Sequence, residues 1–125
     1  RVIVLNGDGC MLMNLGSLVT IGALKPANLT VVVIDNGIYE VTGGQPRVGH
    51  QTADFCELAR AAGIAQVADV SDPEQWRQTA SSTLTAPGPN FVRLAIEPRL
   101  GQSTPKPRRP MHAQIQRFRA AIASR

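Results

Sequence analysis

Short unbroken apolar runs alternate with helix-length segments along this chain. Val2–Asn6 is predicted to form a buried strand, and Thr30–Ile34, a continuous β-branched run, a central parallel strand. Gln66–Val70 and Asn90–Ile96 supply two more strands. Between the first two runs the pattern predicts a helix from Cys10 to about Leu24, stopped by Lys25-Pro26. That helix is apolar on nearly every face, with small polar groups (Asn14, Ser17, Thr20) on a narrow stripe and with Gly16 and Gly22 allowing close backbone approach. A helix of this kind is normally buried all round, either beneath a large sheet or against another chain or domain. Asp54 is placed to cap a helix from Phe55 to Ala62 that ends at Gly63, and Ser71-Asp72-Pro73-Glu74 to start one running to about Leu84. Trp76 on that second helix reads as a packing residue. The alternation predicts an α/β fold with a doubly wound, mainly parallel sheet flanked by helices.

Two segments break the pattern. From Asn36 to about Thr52 the chain reads as a long loop, with Gly37, Gly43, Gly44, Pro46 and Gly49, and long loops are usually functional or mobile. After Glu97, Pro98, Pro105, Pro107 and Pro110 alternate with basic residues, which predicts an extended linker over 98–110. A final helix over 111–125 carries Ile115, Phe118 and Ile122 on one face and reads as an arm that docks on its own domain or on a partner. The α/β domain would then occupy residues 1–97.

Charge follows the same division. Residues 1–96 hold six basic and eight acidic side chains, whereas residues 97–125 hold seven basic and one acidic. The net charge of +4 therefore belongs to the tail, where Phe118 is the lone aromatic, and nucleic-acid binding is not expected. No apolar run approaches the roughly 20 residues of a membrane span, so no membrane association is expected. Cys10 and Cys56 lack metal-type spacing and read as free thiols in a reducing cytoplasm. The chain opens inside a strand pattern at Arg1, which suggests part of a longer polypeptide or a processed form.

Candidate chemistry gathers at the ends of the first two strands. Gly7-Asp8-Gly9 follows the first run and Asp35-Asn36-Gly37 the second, with one helix between them. A strand, a glycine turn and a helix aim backbone N–H groups and a positive helix end at one point, which suits a phosphate. A carboxylate there makes sense if a divalent cation lies between it and the phosphate. Mg²⁺ takes about six oxygens, usually one or two carboxylates plus phosphate oxygens. Asp8, the Asn36 amide and a main-chain carbonyl just beyond, most naturally that of Ile38, could supply three. A dinucleotide-binding reading fails, because Leu12 and Met13 stand where the third glycine of Gly-x-Gly-x-x-Gly belongs.

Gly7-Asp8-Gly9, then 26 residues, then Asn36 resembles the metal and diphosphate motif of thiamine diphosphate-dependent enzymes. The resemblance extends through Met13-Asn14-Leu15-Gly16-Ser17-Leu18, Pro26-Ala27-Asn28-Leu29 and Tyr39-Glu40-Val41-Thr42-Gly43-Gly44-Gln45-Pro46, where it looks most like phosphonopyruvate and sulfopyruvate decarboxylases. It implies a C-terminal, diphosphate-binding domain with thiamine diphosphate and Mg²⁺ as cofactors. Asp8, Asn36 and the Ile38 carbonyl would be the metal ligands. Gly7, Asp8, Gly9, Cys10, Asn36, Ile38 and Gln45 would line the cofactor site, Gly9 and Cys10 through backbone N–H groups. Cys10 stands where relatives often have Ser or Ala. The family pattern also includes a further strand and helices ahead of the Gly-Asp-Gly strand, so the sheet is expected to be incomplete on its N-terminal side.

The implied activity is decarboxylation of a small anionic 2-oxoacid, with the thiazolium ring taking up the electrons as carbon dioxide leaves. The implied partner is a pyrimidine-binding domain or subunit of the same enzyme, in a homo- or hetero-oligomer. A carboligase resembling acetolactate synthase and a non-catalytic assembly subunit of the same fold are the alternatives. No residue reads as a convincing catalytic acid or base. His50, at the end of the glycine-rich loop, is the weak candidate, with a solvent-facing loop His as the alternative, and Arg47 reads as an ordinary surface Arg or as one that could attract a phosphonate or sulfonate.

Overall fold

The computed structural model describes residues 1–101 and 109–124. Most of the 98–110 stretch expected as a linker lies outside them. Four parallel strands form the sheet: β1 (Val2–Gly7), β2 (Leu29–Asp35), β5 (Gln66–Val70) and β6 (Asn90–Ala95), in spatial order β1-β2-β6-β5. A second, two-stranded antiparallel sheet joins β3 (Ile38–Tyr39) to β4 (Gln45–Pro46). The predicted α/β class is the observed one.

The helices divide between the two faces. Met11 and Leu18, from α1 (Asp8–Met13) and α2 (Gly16–Leu24), and Phe55, Cys56 and Ala59 from α3 (Phe55–Ala61) pack on Val31, Val33 and Phe91. The opposite face, Val32, Val70 and Val92, is covered by Trp76 and Leu84 of α4 (Pro73–Thr85). The chain thus crosses β1 to β2 over one face, then returns from β5 to β6 over the other. Reversing both direction and face preserves one crossover hand. Such a sheet presents its ligand site at the C-terminal ends of its strands.

Local signals account for most boundaries. Asp54 Oδ1 accepts from Glu57 N at 2.9 Å and Asp72 Oδ1 from Glu74 N at 2.9 Å, so each caps its helix, and Pro73 occupies the first turn of α4. Gly63, at φ +94, ends the α3 region. Lys25 takes the left-handed conformation (φ 46) that closes α2.

Three expectations are corrected. The single helix from Cys10 to Leu24 is two helices. Asn14 N donates back to Met11 O, and Ser17 N then takes the Asn14 carbonyl, so the ladder breaks at Asn14–Leu15. The segment from Asn36 to Thr52 is not structureless, because it contains the β3–β4 hairpin and a 3-10 turn at Glu40–Thr42. The Val2–Asn6 run is not buried: β1 pairs with β2 alone at the sheet margin, and Val2, Ile3, Val4 and Leu5 are all exposed.

The all-apolar helix is also largely open. In α2 only Leu18 and Gly22 are buried, while Val19 and Leu24 face outwards. Gly22 is where the close approach occurs, since a Cβ there would overlap the Ala62 carbonyl oxygen, whereas a Cβ at Gly16 would meet open space. The last helix, α5 (Met111–Ala123), buries no residue, and its Ile115, Phe118 and Ile122 face is exposed, so the expected docking contact is not made among the described residues.

Candidate functional site

Asp8 opens α1 directly beyond β1, and Asp35 closes β2. Both carboxylates are buried, at 4% and 5% exposure, and so is Arg47, at 2%. Asp35 points inward because it shares strand parity with Val31 and Val33, which line the core. Arg47 arrives through the hairpin: its N–H donates to Gly37 O at 2.8 Å, which folds the segment after β4 back over the end of β2. Its guanidinium stacks on the Phe55 ring, 4.8 Å from the centroid.

These groups belong to a row of alternating charges along the C-terminal edge of the sheet. Asp69 on β5 meets Arg93 on β6 at 2.9 Å, and Arg93 Nε meets Asp35 Oδ2 at 2.6 Å. Asp35 Oδ1 lies 3.6 Å from Arg47 Nη2, and Arg47 Nε donates to Asp8 Oδ2 at 2.8 Å. The register explains part of this row, since Arg93 sits opposite both Val33 and Asp69. The link between Asp35 Oδ1 and Arg47 Nη2 is the loose one. At 3.6 Å it is an ion pair but too long for a hydrogen bond, and both buried atoms lack a hydrogen-bond partner.

The two carboxylates respond differently to burial. Burial pushes Asp35 up, but the hydrogen bond from Arg93 and the neighbouring positive charges outweigh it and hold Asp35 below the usual carboxylate range. Burial also pushes Asp8 up, reinforced by the facing Asp35, and here it wins over the hydrogen bonds from Gly9 and Arg47. The two carboxylates titrate as a coupled pair, which gives up its protons in two steps.

Asp8 also ties the two strand ends together. Its Oδ2 accepts from Gly37 N at 3.0 Å and its Oδ1 from Gly9 N at 2.8 Å. Asn36, adjacent to Gly37, accepts from Ile38 N through Oδ1 at 3.1 Å and donates to Glu40 Oε2 at 2.7 Å. The other Glu40 oxygen accepts from Arg99 N at 3.2 Å. Asp8, Asn36 and Ile38 are thus gathered around one turn. His50 joins them, for a Cβ at Gly37 would run into its imidazole. Gly9 is equally constrained, because a Cβ there would lie 2.7 Å from Tyr39 Cε1. Cys10 is exposed near the start of α1, where first-turn N–H groups have no helical partner.

Gln45 lies on the hairpin and Arg47 directly after it. Gln45 is exposed and donates to Thr42 O at 3.4 Å within its own hairpin. Arg47 is not a surface group awaiting an anion, since Asp8, the Val48 carbonyl and Asp35 surround its guanidinium. The charge row itself, Asp35, Arg93 and Asp69, was not anticipated. Its signal was an arginine in the apolar stretch 91–95 of the last strand, which a parallel sheet buries only with a partner.

Among the described residues no group of three or more His, Cys, Asp or Glu side chains could hold a metal ion. A cation at Asp8 would therefore depend on amide, main-chain and ligand oxygens. Hard oxygen donors of this kind suit Mg²⁺; one Asp8 Oδ1 lone pair lies beyond the bond from Gly9, and the Asn36 amide oxygen, which accepts from Ile38 N, belongs to the adjoining turn. No helix among the described residues is long and apolar enough to cross a membrane.

Comparison with known proteins fits this geometry. Residues 1–94 match the model of the thiamine pyrophosphate enzyme C-terminal TPP-binding domain. The chain is 36% identical over 123 residues to a phosphonopyruvate decarboxylase of Streptomyces viridochromogenes, covering 98% of this chain and 31% of that relative. It is 38% identical over 98 residues to the sulfopyruvate decarboxylase subunit beta of Methanothermobacter thermautotrophicus, covering 78% of this chain and 50% of the relative. Over 64 residues it is 45% identical to the corresponding subunit of Methanocaldococcus jannaschii, covering 51% of this chain and 34% of that relative. The chain thus spans half or less of each of these relatives.

Proposed function

Since this chain belongs to the thiamine pyrophosphate enzyme family, as a C-terminal TPP-binding domain, we propose that it is the diphosphate- and Mg²⁺-holding part of a 2-oxoacid decarboxylase acting on sulfopyruvate or phosphonopyruvate. The observation that carries this reading is the Asp8–Gly37 hydrogen bond of 3.0 Å, which brings the candidate carboxylate to the turn bearing Asn36 and Ile38. Asp8, the Asn36 amide oxygen and the Ile38 carbonyl would hold Mg²⁺. The free N–H groups of the first α1 turn, that of Cys10 among them, would hold the diphosphate. The Gly9 amide is already spent on Asp8 Oδ1 at 2.8 Å, so it orients the carboxylate rather than the phosphate.

When bound, thiamine diphosphate supplies the electron sink that 2-oxoacid decarboxylation needs. This chain's part is to bind, orient and exclude water. Tyr39, packed on Gly9, closes the floor beside the first turn of α1. His50, against Gly37, is the imidazole best placed to hold or move a proton near the substrate. Beside it lies a polar recess of about 200 Å³ lined by His50, Gln51, Thr52, Ala53, Asp54 and Arg93.

The remaining wall comes from a pyrimidine-binding partner domain or subunit. Two facts support this: the relatives named subunit beta and the uncovered apolar surface of β1 and α2. The setting is cytoplasmic, in keeping with two free cysteines. The reading is tested by mixing the chain with thiamine diphosphate, Mg²⁺ and the partner half and following carbon dioxide release from sulfopyruvate and phosphonopyruvate. Turnover that needs both halves is expected. A reconstituted complex that holds the cofactor yet decarboxylates neither compound would overturn it.

A further inference from the structure

Arg47 raises a problem that the proposed cation site does not solve. A guanidinium buried against the one carboxylate offered to a divalent cation repels that cation. We infer that Arg47 makes cation binding conditional on the diphosphate: it cancels the charge of Asp8 so that the site takes up the metal only together with an anionic ligand. This inference rests on the proposal that Asp8 is a cation ligand.

The geometry supports it at three points. Asp8 Oδ2 has both lone pairs engaged, by Gly37 N at 3.0 Å and Arg47 Nε at 2.8 Å, and Oδ1 already accepts from Gly9 N at 2.8 Å. What remains for a cation is a single lone pair on an ion-paired carboxylate, plus neutral carbonyls. Among the described residues no third acid, His or Cys completes a metal-holding group. Arg47 is also held in place rather than free to leave. Its ring contact with Phe55, the Val48 carbonyl at 3.2 Å and its own N–H on Gly37 O at 2.8 Å fix it from three sides.

A tightly held counter-ion leaves a bare divalent cation little net charge to bind. A diphosphate arriving with the cation supplies the missing negative charge through its own oxygens, without moving Arg47. The unpartnered Arg47 Nη2, buried 3.6 Å from Asp35 Oδ1, shows that the guanidinium is placed between the two carboxylates and not built around an optimal bidentate pair.

The test is a titration with Mn²⁺ read by electron paramagnetic resonance, first without and then with thiamine diphosphate, on wild type, Arg47→Gln, Arg47→Lys and the double variant Arg47→Gln/Asp8→Asn. Each is checked for folding by thermal melting. Arg47→Gln should bind free Mn²⁺ about tenfold or more tighter than wild type, the scale on which groups behind a metal ligand tune affinity. Arg47→Lys, which keeps the charge, should stay near wild type. The double variant should return to wild-type weakness. Free Mn²⁺ affinity unchanged or reduced in Arg47→Gln overturns the inference, because a purely structural role can only loosen the site. If Arg47→Gln tightens but the double variant stays tight, the Asp8 ligand assignment fails instead. Should Arg47→Gln not fold, Arg47→Met, which keeps the buried stem and removes the charge, takes its place with the same two readings: tighter free Mn²⁺ binding supports the inference, and unchanged or weaker binding overturns it.

Discussion

β1 and β2 are nearly interchangeable as sequences, Val-Ile-Val-Leu-Asn-Gly beside Leu-Thr-Val-Val-Val-Ile-Asp, yet the fold treats them in opposite ways. Leu5 and Val32 are register partners, but Leu5 is 73% exposed and Val32 1%. The difference lies in their neighbours. β2 has a strand on each side and helices over both faces, whereas β1 has one strand and little cover. An apolar strand left bare on its edge and faces is a pairing hazard unless something covers it. Hydrophobic pattern therefore reports what a strand needs, while burial reports what the described chain supplies. Both strands nevertheless end at a buried carboxylate, Asp8 beyond β1 and Asp35 on β2, and the proposed site lies between them.

The comparison can be broken in several ways. The largest effect is expected at the end of β2. Asp35→Asn leaves Arg93 and Arg47 facing a neutral group, and breaking a buried pair in this way costs about 3–5 kcal/mol. The sign with pH follows from the depressed Asp35 value. The stabilisation is fully present above the unfolded value of 3.8 and is lost as pH falls through the lower folded value. The gap between variant and wild type in urea melts should therefore be widest at neutral pH and shrink below it in acid. A gap independent of pH would mean that Asp35 is not ionised in the fold.

Next comes packing between helices. Gly22→Ala forces a Cβ onto the Ala62 carbonyl oxygen, a backbone atom that cannot swing away. Overpacking of this kind costs roughly 1–3 kcal/mol and should appear as a lower urea midpoint. The register partners then separate most simply. Val32→Ala should cost about 2 kcal/mol, from two buried methyl groups and the gap they leave. Leu5→Ala should stay within about 0.5 kcal/mol despite the larger deletion, as exposed sites do. In the presence of the partner half the Leu5 change should become costly, and equal costs in the isolated chain would mean that β1 is already covered in solution.

Much of this was legible in the chain itself. The strand–turn–helix spacing of Asp8 and Asn36, the Asp54 and Asp72 caps and the last helix follow from local chemistry, which one sequence carries in full. The exposure of β1 was not legible, because it depends on which neighbours are present and not on the strand. The break at Asn14–Leu15 was hidden by an uninterrupted apolar pattern across it. Arg47 was misread for a related reason. It lies 39 residues from Asp8 along the chain, and only the hairpin's return over β2 brings its guanidinium to the carboxylate. A loop basic residue looks solvated until the fold supplies its anion.

The account turns on Asp8 as the residue that ties cation to cofactor. The direct measurement is calorimetric titration of thiamine diphosphate, with and without Mg²⁺, into the chain combined with its partner half, for wild type and Asp8→Asn, each first shown to melt cooperatively. Wild type should bind only with Mg²⁺ present, and Asp8→Asn should weaken that binding by about a hundredfold or more, since a neutral amide replaces the charged metal ligand. Mg²⁺-dependent binding that survives Asp8→Asn unchanged would contradict the account.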